Sequence, residues 1–108
     1  MFYLDGHPPP PTLELDIERL RALVRDLERA RSGDHPSHRL VASAPVLDNW
    51  QLAFRREPCL IGTVTGHPAI KNGHGNLTSS LWLFAPAFGY ARTLSRFYAL
   101  GRPATDRG

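Results

Sequence analysis

The side chains with the most chemical potential in this sequence lie in and around one loop. His67 stands in Gly66-His67-Pro68. There the following proline holds the histidine extended and the glycine frees the backbone to turn. His74 follows in the same loop and Cys59 lies upstream. Imidazole and thiolate are ligand types that zinc takes, but no C-x-x-C or H-x-x-x-H pair accompanies them, and structural zinc normally asks for four ligands. No metal site is expected, and the expected work of His67 is to brace its loop by hydrogen-bonding backbone groups.

The remaining constellations are weaker. Pro36 separates His35 and His38 and prevents a regular helix from placing them together. Ser79 and Ser80 lack the G-x-S-x-G setting of a nucleophile, and Thr78 and Ser79 read as sheet residues whose hydroxyls bond across strands. The glycine-rich stretch 72–76 matches neither phosphate-cradling pattern and reads as a hairpin loop. Cys59 has Arg55 and Arg56 nearby, which could activate a thiol, yet a lone cysteine at the start of a strand is more often a small buried hydrophobe. No catalytic set and no cofactor are therefore expected.

Arg92 and Arg96 are the best candidates for binding. On a strand they would project to one side about 13 Å apart, with Leu94 between and Tyr98 beyond. Arginine interleaved with aromatics is one way to grip single-stranded nucleic acid. Two arginines make few phosphate contacts, however, and no RNP-type motif is present. In the alternative, Arg96 pairs with an acid such as Glu57 or Asp48 and locks the sheet. The expected binding residues are Arg92, Arg96, His67, His74, Trp82 and Tyr98.

Several elements must position these groups. Residues 1–11 read as a flexible proline-rich tail, with Pro8 to Pro11 extended. Over 12–32, Leu13, Ile17, Leu20, Val24 and Leu27 fall on one helical stripe. Thr12 is placed to cap that helix and Gly33 to end it. Acid–base pairs three apart, such as Asp16/Arg19 and Glu28/Arg31, support its exposed face. The stripe is expected to cover a sheet, or less favourably to form a dimer seam.

A second helix is expected over 44–56, where Leu47, Trp50 and Phe54 share a face and Pro45 suits the first turn. Residues 59–65 and 77–84 read as strands around the 66–76 loop. Periodicity reads 90–100 as a helix, with Ala91, Leu94 and Tyr98 on one stripe. The expected core includes Ile17, Leu20, Val24 and Leu27 from the first helix, Leu47, Trp50 and Phe54 from the second, and Ile61, Val64, Leu81 and Leu83 from the strands.

Length and composition bound the rest. The chain has 108 residues, one domain's worth, with 42% hydrophobic and 21% charged residues, which argues against a wholly disordered chain. Thirteen basic minus ten acidic residues gives +3, far from a polybasic tail. Lys71 is the only lysine, the other basic residues being arginine. This matches a coding bias as readily as a phosphate site. One cysteine excludes an internal disulfide. The longest apolar stretch, 81–91, is broken by Pro86 and Gly89 and falls short of the roughly 20 residues of a membrane span. With no secretory-signal pattern at the N-terminus, a cytoplasmic protein that does not enter membranes is expected.

The second half of the chain carries D-N-W, then L-I-G-T-V-T-G-H-P, T-S-S-L and A-R-T-L-S-R-F-Y-A-L-G-R-P. In this it resembles a family of small uncharacterised bacterial proteins, a domain of unknown function of about this length. Similar sequences carry Asp where Ala85 stands here. The resemblance implies a strand–loop–strand–turn–strand meander, with 90–98 as a strand, and implies no activity, substrate or cofactor.

The expected fold is α+β: after the tail, a single domain over 12–108 in which two helices pack on a small antiparallel sheet of about three strands, a β-meander over 59–100. The expected function is that of a non-enzymatic binding or adaptor module working through an unknown protein partner or as a homodimer. A nucleic-acid-binding accessory protein using an Arg/aromatic sheet face is the alternative.

Overall fold

A computed structural model describes residues 1–104. The last four positions of the expected 12–108 domain lie outside the described residues. Two compact units are present, one from Met1–Pro9 together with the chain from Arg55 onward, the other from Pro10–Phe54. The expected 12–108 span runs across both.

The smaller unit is helical. Helix α1 covers Pro11–Arg31, with Pro10 as its cap and Pro11 at the first position, so Thr12 lies inside the helix. Proline tolerates that position because its missing N–H would have had no intrahelical partner. The other end follows its sequence signal. Gly33 takes φ +78°, its N–H bonds Ala30 O at 3.0 Å, and Asp34 N–H bonds Arg29 O at 2.8 Å. That pair of bonds is a Schellman closure, which needs a left-handed residue. Gly33→Ala is expected to cost about 1–2 kcal/mol, seen as a lower urea midpoint for the helical circular-dichroism signal. On the apolar stripe, Leu13, Ile17 and Leu20 are half-buried while Val24 and Leu27 are more than half exposed, so the last two are not core residues. Asp16–Arg19 is the only ion pair among the described residues, at 3.3 Å.

The second helix does not lie at 44–56. Helix α2 is a short turn over His38–Ser43, capped by Ser37, whose Oγ accepts the Leu40 N–H at 3.2 Å. Pro45 acts as a stop rather than a start. It holds Ala44 extended at ψ 155°, the conformation a residue before proline prefers. Asn49 then takes φ +52°, which breaks any helical run before Trp50. The shared face of Leu47, Trp50 and Phe54 consequently never forms, and these residues are 78%, 75% and 91% exposed.

The larger unit holds the strands. They are β1 (Phe2–Tyr3), β2 (Ile61–Thr63), β3 (Gly75–Leu77), β4 (Leu81–Ala85), β5 (Tyr90–Thr93) and β6 (Phe97–Ala99). The architecture is α+β, but the sheet is neither three-stranded nor purely antiparallel. Four strands run in the order β1-β4-β5-β6, and β2-β3 forms a separate pair. Residues 1–11 are not all tail, since β1 pairs parallel with β4, Phe2 beside Leu83 and Tyr3 beside Phe84. A two-residue strand is too short to read by alternation, and here it covers an otherwise open edge.

The segment 90–100 is a hairpin. The meander implied by the resemblance is present there, while the helix read from periodicity is not. The one long strand expected at 90–98 divides into β5 and β6 at a turn over Leu94–Arg96.

Across the ladders, Ala91 lies opposite both Phe84 and Tyr98, and Leu81 opposite Thr93. Opposed residues share a face, so these five side chains lie together. Leu81 and Phe84 can do so, three apart, because the register shifts by one between Leu81 and Leu83, a bulge at Trp82. The buried residues are few: Leu81, Ala91 and Thr93 on this face, and Ala85 on the other. Of the expected strand core, Leu81 is buried, Leu83 and Val64 are half-buried and Ile61 is 83% exposed, because β2 is an edge strand with one partner.

Candidate functional groove

The β2–β3 hairpin is built by its loop. Val64 N–H bonds His74 O at 3.0 Å and Gly73 N–H bonds Val64 O at 2.8 Å, extending the ladder past the strand ends. Asn72 Oδ1 accepts the Gly66 N–H at 2.8 Å, and His67 Nδ1 accepts the Ala69 N–H at 3.0 Å. His67 thus braces its own loop. His67→Ala is expected to speed hydrogen exchange of the Ala69 amide several-fold, and His67→Asn, which can offer Oδ1 in place of Nδ1, to restore part of the protection.

The hairpin is tied to the four-stranded sheet through Tyr98, and at its base the Leu81 N–H of β4 bonds Pro58 O at 2.8 Å. Asn76 Nδ2 donates to Tyr98 Oη at 3.1 Å, and the His67 and Tyr98 ring centroids lie 6.4 Å apart. Within the hairpin, Thr78 closes the ladder by bonding Leu60 twice, by N–H to the Leu60 carbonyl and by Oγ1 accepting the Leu60 N–H, both at 2.9 Å. Ser80 donates its hydroxyl to Glu57.

A groove is left between β2 with its extensions, residues 60–68, and β6 with its extensions, residues 96–104. It consists of a cavity of about 730 Å³ towards Leu100 and Arg102 and one of about 220 Å³ towards His67 and Arg96. Thr63, Val64, Tyr98 and Ala99 line both, so the two are continuous. Phe84 and Leu100 make part of the floor apolar.

The walls are strand edges. Within the β2–β3 ladder, Leu60 and Val64 direct their backbone groups to β3. By the two-residue alternation, Ile61 and Thr63 direct theirs away from it. Within β5–β6, Thr93 N–H bonds Arg96 O at 2.9 Å and Leu100 N–H bonds Gly89 O at 2.9 Å, so Phe97 and Ala99 likewise point theirs outward.

The structure brings together three of the six expected binding residues, His67, Arg96 and Tyr98, along this groove. Arg92 is on the other sheet face. It sits 5.0 Å over the Phe97 ring, with Tyr90 5.7 Å from Phe97. Arg92 and Arg96 do not share a strand side, because β5 ends at Thr93 and Arg96 lies in the turn. Arg96 makes no ion pair with Glu57 or Asp48 among the described residues. His74 is exposed and lines neither cavity, and Trp82 sits half-buried at the bulge, also away from the groove.

Cys59 is free and exposed, not the buried hydrophobe its position suggested. Among the described residues no three His, Cys, Asp or Glu side chains cluster as metal ligands, and no helix is long and apolar enough to cross a membrane. Sequence reasoning missed Arg102 and the strand-edge backbone. The second carries no side-chain signal.

Fold and groove together define a small α+β protein whose distinguishing feature is an open channel between two strand edges. The chain belongs to DUF6634, a family of unknown function, whose model matches residues 15–106. No curated protein and no solved structure matches it.

Proposed function

We propose that this chain is a non-enzymatic binding module that works through protein–protein contact in the groove between β2 and β6. The observation that carries this reading is one channel lined by residues of two edge strands, β2 and β6, whose outward backbone groups at Ile61, Thr63, Phe97 and Ala99 have no strand partner among the described residues. Backbone edges of this kind give affinity by main-chain hydrogen bonding, and side-chain pockets beside them give selectivity. A cavity of about 730 Å³ is within the size range of ligand sites. The groups lining the groove suit contact rather than turnover: His67 Nδ1, beside the smaller cavity, is engaged with Ala69, and Tyr98 Oη with Asn76.

Panning of a random displayed-peptide library on the immobilised protein tests this. The expected result is enriched peptides that compete with one another and are lost in Val64→Arg, a change at a residue that lines both cavities. Absence of enrichment overturns the reading.

A second reading, nucleic-acid binding, draws on the Arg92–Phe97–Tyr90 cluster, where a cation and two rings share one face. Retention of a single-stranded oligonucleotide at about 50 mM salt that disappears in Arg92→Ala would favour it.

A further inference from the structure

The chemistry of the groove specifies its occupant more narrowly. We infer that the groove takes an extended peptide segment of another protein, added as a strand beside β6, with carboxylate side chains towards both ends and uncharged ones between; this inference rests on the protein-binding reading above.

The first ground is charge. Arg96 lines the smaller cavity and Arg102 the larger, whereas no Asp or Glu among the described residues lines either. Neither arginine has an acidic partner within the described chain. The positive groups therefore stand towards the two ends of an otherwise uncharged channel. The larger cavity's floor, where Phe84 and Leu100 lie, offers nothing to a charged side chain in the middle.

The second ground is the backbone. Phe97 and Ala99, two apart on β6, have outward N–H and C=O groups. An extended chain presents its own groups at the same spacing, about 6.6 Å per two residues. Ile61 and Thr63 repeat that arrangement on the opposite wall, so an inserted segment finds ladder partners on both sides.

Spacing joins the two grounds. Arg96 and Arg102 are six positions apart in the sequence, and six residues of extended chain span about 20 Å. Carboxylates about six residues apart on the peptide would meet both. Arginine suits the contact because its planar fork binds a carboxylate in two places. Nucleic acid fits less well, since a ladder rewards a polyamide backbone and offers nothing equivalent to a sugar-phosphate chain.

The test uses the full chain and a fluorescein-labelled peptide of about seven residues, alternating valine and threonine with aspartate at each end, read by fluorescence anisotropy. Three comparisons are expected to weaken binding roughly tenfold or more: asparagine in place of both aspartates, Arg96→Gln with Arg102→Gln in the protein, and N-methylation of alternate peptide amides on the bonding edge. The first two remove charge pairing, and the third removes the ladder while leaving charge intact. Circular dichroism of the double variant confirms its fold.

If N-methylation leaves affinity unchanged, or if the asparagine peptide binds equally well, the inference is overturned. Competition by an oligonucleotide for the same site, or a labelled peptide displaced only by a second copy of the chain, overturns it in favour of those occupants. Library panning separates the two levels. Enriched peptides that are uncharged, or that bind as helices, sink the acidic strand but keep the protein-binding reading, whereas no enrichment sinks both.

Discussion

Ala91→Leu is expected to be the most damaging conservative change in the sheet, lowering stability by about 1–3 kcal/mol. Ala91 has no exposed surface and lies between Phe84 on β4 and Tyr98 on β6. A larger side chain there must push one of those rings away. The Tyr98 hydroxyl also accepts the Asn76 hydrogen bond, so displacing the ring loosens the tie to the β2–β3 hairpin. For a chain of this size each kcal/mol moves the melting temperature by roughly 4–8 °C, so differential scanning fluorimetry reads the effect directly. Leu94→Ala, at a site 68% exposed, is expected to stay within about 0.5 kcal/mol of the parent. If the two changes proved equal, the face holding Ala91 would not be closed.

Thr93→Val is the second large effect, and it isolates a single hydroxyl. Thr93 is 1% exposed. Its Oγ1 accepts N–H bonds from Ser95 and Arg96 and donates to the Arg96 carbonyl, each at 3.2 Å. One side chain therefore organises the turn joining β5 to β6. Valine keeps the shape but leaves the Arg96 N–H without its acceptor, while the Ser95 N–H keeps Ser79 Oγ at 3.2 Å, a cost of about 1–3 kcal/mol. Thr93→Ser keeps the hydroxyl and loses one methyl, about 0.8 kcal/mol. The valine variant is expected to show faster amide exchange at Arg96, and the serine variant is not. Because Arg96 leaves this turn and borders the groove, the valine variant should also weaken the peptide binding described above.

What could be read from the sequence follows the range of the interactions involved. Helix α1 was legible because its stripe repeats over several turns and Gly33 closes it by a local backbone rule. The Asn72-Gly73 turn and the Pro86–Gly89 reversal are also local, and both are present, the second as a short 3-10 turn followed by Gly89 at φ +79°. The second helix failed because Pro45 and Asn49 outweigh a stripe of three apolar side chains. At 90–100 the helical spacing was accidental, since a hairpin with a tight turn at Leu94–Arg96 also brings apolar residues back every few positions.

The pairing of Phe2 and Tyr3 with β4 depends on a contact across some eighty residues, which no local pattern carries. The site was half legible for a similar reason. His67, Arg96 and Tyr98 were identified by type, but their convergence depends on the placement of the β2–β3 pair beside β6, a long-range contact.

The irregularity at Trp82 constrains how the family can vary in length. With the register offset between Leu81 and Leu83, one residue more or fewer in this stretch would turn Leu81 or Phe84 to the opposite side of the sheet. Insertions and deletions among DUF6634 sequences should therefore gather in the 65–72 reversal, where an added residue lengthens an arc, and avoid 81–85, where it would turn part of the sheet inside out.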